Sequence, residues 1–147
     1  MKTIYATIGA PASGKSTWAN DFASKNGLKV VCPDTIRKQL TGSEENQDHN
    51  RQVFNVAAEE LNRELKSGKS VVFDATNTTE KNRRIVYGMA DIHNTNIEWH
   101  VFQRPLETLL KQNKQRKRQV PDDIIKRFHD NFTIPTPKDN TEKVIKH

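Results

Sequence analysis

The chain has 147 residues and a formal net charge of +6, a length that accommodates one domain and leaves too little chain for a second catalytic module. Leu, Ile, Val and Phe make up 33 of the 147 residues, just above the ~20% below which disorder is expected. No apolar run approaches the ~18 residues of a membrane-spanning helix, and the first residues lack the pattern of a secretory signal. The single Cys32 excludes an internal disulfide. We therefore expect a soluble, cytoplasmic protein with no membrane partner.

The predicted elements alternate between strands and helices. The first half of the chain predicts a strand over 3–8, a helix over 16–25, a strand over 29–32 that includes a buried Cys32, a helix over 35–40 and a loop over 41–50. The second half predicts a helix from 51 to Ser67-Gly68, a strand over 70–74, a helix after 78–79, a strand over 96–102, and helices beginning near 106 and 122. Residues 142–145 add an edge strand if the sheet has five strands rather than four. The alternation predicts an α/β fold, a parallel sheet of four to five strands flanked by helices on both faces.

A phosphate-binding loop pattern, G-x-x-x-x-G-K-[ST], runs from Gly9 to Ser16, between a predicted strand and a predicted helix as its mechanism requires. Its glycines let the backbone curl so that successive N–H groups point at phosphate oxygens. We expect Lys15 to reach the terminal phosphates and the Ser16 hydroxyl to ligate Mg²⁺. The alternative is an ordinary glycine-rich turn. The pattern predicts that ATP, or another nucleoside triphosphate, binds with Mg²⁺ at Gly9, Ala12, Ser13, Gly14, Lys15, Ser16 and Thr17.

Polar residues that follow the other strands are candidates for the acceptor side of the site, because ligands of an open parallel sheet collect at the carboxyl ends of its strands. Asp34 could accept the proton of an attacking hydroxyl, act as the N-cap of the following helix, or do both. Asp74 closes an apolar strand in the manner of a Walker B aspartate that binds Mg²⁺. Thr76 and Asn77 lie on the same ligand side, although Asp, Thr and Asn are also common turn formers.

Most of the net charge lies in one segment. Residues 104–127 carry eight basic and three acidic side chains, a local balance of +5. We interpret residues 111–121 as a short basic helical lid, in which Arg116 and Arg118 neutralise the charge that develops on the transferred phosphate. The alternatives are a solvated helix face or general attraction of a polyanion such as a nucleic-acid backbone.

With these residues in view, the chain resembles the kinase domain of phage-type polynucleotide 5′-hydroxyl kinases, within the wider P-loop kinase family related to adenylate kinase. The likeness is closest over residues 7–19, Thr-Ile-Gly-x-Pro-x-Ser-Gly-Lys-Ser-Thr-Trp-Ala, which is more specific than the bare loop. It continues through Asp34-x-x-Arg37, Thr76-Asn77, Asn113-x-x-Arg116 and Val120-Pro121. The resemblance implies a P-loop kinase fold and a single kinase domain over residues 1–147, with its lid at about 111–121.

The resemblance also implies residue roles. Asp34 would be the general base that activates the 5′-hydroxyl, Arg37 would hold a phosphate of the acceptor strand, and Arg116 would reach the donor phosphates. Thr76 and Asn77 would complete the acceptor contacts. The chain departs from the pattern of a phage member of the family at two positions. That enzyme has an aspartate where this chain has Ala75, whereas other relatives share the order Asp-Ala-Thr-Asn found here at 74–77, and it has a second lid arginine where this chain has Gln112, which Arg118 could replace.

The leading hypothesis is therefore an ATP- and Mg²⁺-dependent kinase that phosphorylates 5′-hydroxyl ends of RNA or DNA, in the host cytoplasm if the chain is phage-encoded. One alternative is a P-loop kinase of a small-molecule hydroxyl on a sugar, nucleoside or antibiotic, since the same fold serves many functions. The other is a nucleotide-dependent switch that transfers no phosphate. The sequence does not indicate an oligomeric state.

Overall fold

Strands and helices alternate along the chain, as the sequence predicts, in a computed structural model that describes residues 2–44 and 49–147. The first half of the chain forms β1 (Thr3–Gly9), α1 (Lys15–Asn26), β2 (Val30–Val31), α2 (Pro33–Thr41) and α3 (Asn50–Lys66). The second half forms β3 (Val71–Phe73), α4 (Glu80–His93), β4 (Asn96–Phe102), α5 (Leu106–Lys114), α6 (Asp122–Asp130) and β5 (Glu142–Lys146). The edge strand is present, so the five-strand form of the prediction is confirmed.

The sheet places β1 at its centre. The strand order is β2-β3-β1-β4-β5, and each neighbouring pair is parallel. Ile4 of β1 is in register with Val71 of β3 on one side and with Ile97 of β4 on the other. The chain therefore crosses to opposite sides of β1, and such a switch opens a crevice at the carboxyl end of the central strand. The loop that follows Gly9 lies at that crevice.

Helices cover both faces of the sheet, as predicted. The buried side of α3 carries Val53, Ala57, Leu61 and Leu65, which recur at four-residue spacings. Val71 and Phe73 of β3 join the apolar cluster under α3 and α4, whereas Val72 packs under α1, because successive strand residues face opposite sides. Each fully buried Leu or Val contributes about 1.5–3 kcal/mol. In the described part of the chain, no helix is long and apolar enough to cross a membrane.

The chain departs from its predicted elements around β2 and α2. β2 ends at Val31, so Cys32 is a half-buried residue between strand and helix rather than a buried strand residue. α2 begins at Pro33, which suits a first helical position because proline lacks the N–H that would be unpaired there. Asp34 therefore lies in the first turn and does not cap the helix. α2 also extends to Thr41, and the middle of the predicted 41–50 loop, residues 45–48, lies outside the described residues.

A stack of aromatic rings joins α1 to β4 on the α1 face of the sheet. The rings of Trp18 and His100 stack with their centroids 4.0 Å apart. His100 hydrogen-bonds through its two ring nitrogens to His147 at 2.8 Å and to Glu98 at 2.9 Å. Burial lowers the pKa of His100 below its ordinary value of 6.5, against the opposing effect of Glu98. The folded chain thus keeps this ring neutral where an unfolded chain has already bound a proton.

We expect the free energy of unfolding to fall as the pH decreases below about 6.5, because the unfolded state binds a proton at His100 before the folded state does. The measurement is thermal unfolding at pH 7.5 and 5.5. In a chain of this size, each kcal/mol lost lowers Tm by about 2–4 °C. His100→Gln should reduce the pH dependence, leaving that of His147, whose pKa burial also lowers. Equal pH dependence in parent and variant would contradict the assignment.

Candidate active site

The loop between β1 and α1 has the backbone of a phosphate cradle. Ala12 and Gly14 have φ angles of 72° and 93°, in the left-handed region where a residue with a side chain is strained. The turn is closed by hydrogen bonds from the Ser13 N–H to the Ala10 carbonyl and from the Trp18 N–H to the Gly14 carbonyl, both 3.2 Å. Turns that alternate between left- and right-handed backbone form concave anion sites, and the first turn of α1 adds its positive dipole end.

Gly9 permits the close approach that this loop needs. A Cβ at residue 9 would lie 2.5 Å from Ser13 Oγ and 3.2 Å from Phe102 Cβ. Ser13 itself is only 2% exposed, and its Oγ has no hydrogen-bond partner among the described residues. An unpaired buried hydroxyl costs about 1–3 kcal/mol. A phosphate oxygen in the loop would remove that cost, so this residue fits a bound nucleotide.

Lys15 and Ser16 are the first two residues of α1, and both line a cavity at the carboxyl ends of the strands. Lys15 is 8% exposed and forms no ion pair with the carboxylates of the described residues. A buried ammonium group without a counter-charge is unfavourable. The phosphate loop thus presents a buried cation that matches a polyanionic ligand.

The cavity above the carboxyl ends of β1, β2 and β3 has a volume of about 780 Å³, within the range of ligand sites. Its walls are the phosphate loop, α2, the segment between β3 and α4, the α5–α6 connection and α6. The structure brings together most of the predicted catalytic, metal and acceptor residues on these walls: Lys15, Ser16, Asp34, Arg37, Asp74, Thr76, Arg116 and Arg118.

Asp34 and Arg37 form an ion pair along α2. Arg37 Nη1 lies 2.6 Å from Asp34 Oδ1, and the Asp34 side chain remains 45% exposed. The buried Arg37 also donates from Nη2 to Asn50 Oδ1 at 3.0 Å and lies 3.4 Å from the Glu44 carbonyl. Arg37 therefore fixes the Asp34 carboxylate at the cavity wall, and the helix-cap interpretation of Asp34 is wrong.

The two lid arginines have different surroundings. Arg118 Nε lies 3.0 Å from Glu44 Oε2 and its Nη1 lies 3.7 Å from Asp34 Oδ2, so Arg118 contacts the acceptor side rather than the phosphate loop. Arg116 has a buried Nη1 without a hydrogen-bond partner in the described part of the chain. Burial, and then the neighbouring Arg118, lower the pKa of Arg116. Arg116 is thus a half-buried cation that lines the cavity with one buried donor atom unpaired among the described residues.

Asp74 follows β3 directly and is held at the cavity floor by Thr7 of β1. The Thr7 hydroxyl donates to the Ala75 carbonyl at 2.8 Å, accepts the Ala75 N–H at 3.1 Å, and lies 3.3 Å from Asp74 Oδ1. Sequence reasoning missed Thr7. The available signal was a polar residue near the end of an otherwise apolar central strand, just before the phosphate loop.

Thr76 and Asn77 lie in different surroundings, and only Thr76 is at the cavity. Thr76 lines the cavity, and its carbonyl accepts the Gly9 N–H at 2.9 Å. Asn77 is buried with φ at 48°, and its Nδ2 donates to the Thr7 carbonyl at 2.9 Å. The structure places the Asn77 side chain in a turn that ties β3 to β1 and not among the side chains that line the cavity.

The outer part of the cavity is lined by residues that the sequence did not single out as functional: Phe54 of α3, Asn82 of α4, and Arg127, Phe128 and Asn131 at α6. Cys32 also lines the cavity, and burial followed by the charge of Asp74 raises the pKa of its thiol. Phe128 packs as well against the small apolar cluster of Ala10, Leu109 and Ile125. The spacing of apolar residues along a helix does not show which of them line a ligand cavity.

Comparison with known proteins places this geometry in context. The family model described as an AAA domain (AAA_33) matches residues 4–135. The chain is similar to the L-seryl-tRNA(Sec) kinase of Methanococcus maripaludis, with 29% identity, covering 92% of this chain and 58% of the kinase. It is also similar to a chain in the structure of the Pnkp1/Rnl/Hen1 RNA repair complex, with a TM-score of 0.78, 22% identity, and coverage of 88% of this chain and 43% of that one.

A sugar kinase from Janibacter sp. HTCC2649 is a third relative, with a TM-score of 0.71, 16% identity, and coverage of 99% of this chain and 86% of the kinase. At these identities the two structural likenesses establish the fold alone. The chain spans 58% of the tRNA kinase and 43% of the RNA repair protein. The relatives agree on a P-loop kinase fold and differ in their acceptors.

Gly9→Ala should weaken ATP binding about tenfold, because the new methyl group displaces the Ser13 hydroxyl and crowds Phe102. Gly88→Ala is the matched control, since nothing lies within 4 Å of a Cβ built there and alanine favours the interior of α4 by about 0.5–1 kcal/mol. The measurement is titration with a fluorescent ATP analogue, together with Tm. Unchanged affinity in Gly9→Ala would contradict the proposed loop packing.

Proposed function

This chain belongs to the AAA_33 family, a family of P-loop kinase domains that bind nucleotide, and from that premise we propose that it transfers the γ-phosphate of ATP to the 5′-hydroxyl of RNA or DNA. One observation carries the proposal. A carboxylate, Asp34, is oriented by Arg37 on the wall that faces the phosphate loop, within one cavity of about 780 Å³. A phosphate donor and a hydroxyl acceptor can therefore meet there. In this proposal residues 1–147 form one kinase domain, with residues 111–121 as its lid, acting in the cytoplasm.

In the donor half, the residues of the phosphate loop would bind the triphosphate through backbone N–H groups and the Ser13 hydroxyl, while Lys15 neutralises its terminal charge. Arg116, whose buried guanidinium nitrogen has no partner among the described residues, would approach the same phosphates from the lid. Ser16 and Asp74 both line the cavity and would hold Mg²⁺ by oxygen atoms, as this ion prefers. When bound, Mg²⁺ neutralises charge on the phosphate oxygens.

In the acceptor half, Asp34 would take the proton of the 5′-hydroxyl as that oxygen attacks the γ-phosphorus. The new bond joins the acceptor oxygen to phosphorus, the bond from phosphorus to the β,γ-bridging oxygen breaks, and ADP leaves. Arg37, which also lines the cavity, would keep the carboxylate aligned and would contact an acceptor phosphate. Thr76 would contact the acceptor at the floor of the cavity.

Charge supports a polynucleotide acceptor. The cavity rim carries Arg118 and Arg127, and the segment to which they belong has a local balance of +5. Single-stranded nucleic acid combines phosphates with bases that stack on aromatic rings, and Phe54 and Phe128 lie in the outer cavity. Two of the relatives carry RNA in their names, a tRNA kinase and an RNA repair complex.

A small-molecule kinase is the second candidate, because the sugar kinase from Janibacter aligns with 99% of this chain over 86% of its own length. The two candidate functions predict different effects of salt on the affinity for the acceptor. Affinity for a polynucleotide falls steeply with salt as counterions are released, whereas binding of a neutral sugar does not.

The first test is transfer of labelled γ-phosphate from ATP, with Mg²⁺, to a short oligonucleotide with a 5′-hydroxyl. Asp34→Asn should lower kcat by about 10²–10⁴, the usual contribution of a general base, and leave ATP affinity within about twofold. Lys15→Ala should lose transfer together with phosphate binding. Equal turnover in Asp34→Asn and the parent would exclude Asp34 as the base.

An oligonucleotide with a 5′-phosphate is the negative acceptor, and a panel of sugars and nucleosides is the competing one. Label on sugars alone would move the assignment to a small-molecule kinase. ATP binding or hydrolysis with no labelled acceptor would indicate a nucleotide-dependent switch.

Arg127 and Lys126 offer a matched pair for testing the polynucleotide acceptor. Both are exposed cations on α6, but only Arg127 lines the cavity. Arg127→Ala should raise the oligonucleotide KM about tenfold, the loss expected for one charge-assisted hydrogen bond, and flatten its salt dependence. Lys126→Ala should change KM less than about threefold. Equal effects of the two substitutions would indicate long-range attraction without a phosphate contact in the cavity.

A further inference from the structure

Arg83 of α4 is a buried cation that the proposed reaction does not use. It is 4% exposed, and among residues 2–44 and 49–147 no carboxylate lies within ion-pair distance of its guanidinium. Burial lowers the pKa of Arg83. A charge held in the interior without a counter-ion is unfavourable unless hydrogen bonds compensate it, so the contacts of this side chain indicate what it does.

Those contacts join two segments that are far apart in the chain. Arg83 Nη1 donates to the Asn77 carbonyl at 2.9 Å and to the Thr133 carbonyl at 3.1 Å, and Nη2 donates to Thr133 Oγ1 at 3.1 Å. Thr133 in turn donates to the Thr78 carbonyl from its N–H at 2.9 Å and from its hydroxyl at 2.8 Å. We call this group of Arg83, Asn77, Thr78 and Thr133 the Arg83 strap.

The strap connects two walls of the cavity. One wall is the segment between β3 and α4, where Thr76, Thr78 and Thr79 line the cavity. The other is α6, which lines it with Arg127, Phe128 and Asn131 and which the chain leaves just before Thr133. The phosphate loop lies on another element, so the strap bears on two of the walls between which the proposed acceptor would bind.

The packing of α6 shows why such a connection matters. Ile125 packs with Leu109 of α5 and with Ala10 of the phosphate loop in a small apolar cluster separate from the main core. That cluster holds α6 near its middle. Beyond its C-terminal end, the strap and the apolar Phe132 and Ile134, which pack on the main core, attach the chain to the body.

The residue type also fits a bridging role. Arginine has a planar fork of donors that can serve two segments at once, whereas lysine offers a single point charge on a flexible stem. If this position served packing alone, an apolar side chain would fill it at lower cost, because replacing a buried charge by an apolar group of similar volume is often neutral or stabilising. Packing alone therefore does not explain an arginine at this position, whereas hydrogen bonding to two segments does.

We infer that Arg83 is a positioning residue for the acceptor: it sets the separation between the β3–α4 segment and α6, and thereby the width of the acceptor part of the cavity. The inference rests on the proposed function in one respect, that the acceptor binds between these walls. Arg83 touches neither substrate. It acts through Thr78, whose carbonyl is fixed by Thr133, and through the Asn77 carbonyl.

The first measurement compares the KM for the acceptor with the Kd for ADP in the 147-residue chain. Misplacement of a binding group by ~1 Å can cost up to about a hundredfold, so Arg83→Gln should raise the KM for a 5′-hydroxyl oligonucleotide about tenfold and leave the Kd for ADP within about twofold. Arg83→Lys should recover part of the loss. Arg84→Gln, an exposed neighbour on the same helix, is the control and should match the parent.

Thr133→Val provides a second route if Arg83→Gln folds poorly. Valine keeps the shape of threonine and removes the hydroxyl that Arg83 and Thr78 share. It should raise the acceptor KM about threefold, and Thr133→Ser should restore it. Equal increases in acceptor KM and ADP Kd would mean general destabilisation and would overturn the inference.

Hydrogen exchange tests the strap without any acceptor. In Arg83→Gln, amide exchange should accelerate together in residues 76–79 and 131–134, while residues 3–9 of β1 keep the rate of the parent. Acceleration in only one of the two segments, or in neither, would overturn the inference. If the parent phosphorylates no oligonucleotide, the proposed function fails, and the exchange result alone decides whether the strap couples the two walls.

Discussion

The site depends on the close approach of the phosphate loop to the strands beside β1. Gly9 has no side chain, so Ser13 and Phe102 can pack against its Cα, and its N–H reaches the Thr76 carbonyl at 2.9 Å. One residue thus joins the end of the central strand, the phosphate loop and the first residues after β3. Because the three strands that meet here are parallel, their carboxyl ends deliver all of these groups to one edge of the sheet.

The cationic side chains at that edge of the sheet fall into two groups, those with and those without a carboxylate partner. The buried Lys15 and the half-buried Arg116 bring cationic groups to the cavity, and neither has an ion pair with a described carboxylate. Arg37 and Arg118, by contrast, are occupied by Asp34 and Glu44. The surroundings of Lys15 and Arg116 are therefore short of negative charge, whereas the charges around Asp34 are balanced. In the proposed reaction, phosphates would balance the first group, and the second would keep one carboxylate available to a hydroxyl.

The elements expected to bind the nucleotide and the elements proposed to bind the acceptor are different parts of the molecule. The family model spans residues 4–135, which include the phosphate loop, α1 and the first four strands, and the proteins similar to this chain have names that specify unlike acceptors. In the proposed function, the acceptor walls are α2, α6 and the β3–α4 segment, and side-chain contacts such as the Arg83 strap join the last two. Changes in these walls alter the acceptor without changing the fold.

The sequence by itself determined the phosphate loop and the alternation of strands and helices, left the fifth strand open, and singled out Asp34, Asp74 and the lid arginines, all of which line the cavity. Each of these depends on residue types a few positions apart, through backbone curling, periodic burial or local charge. Tertiary structure decided which side of the cavity Arg118 faces, that Asn77 turns into the body, that Thr7 holds the Asp74–Ala75 turn, and that Arg83 joins Thr133 to Asn77. Those contacts link residues up to 84 positions apart, as in Arg118 and Asp34, and side-chain partners at such separations depend on how the layers pack, which no local pattern contains.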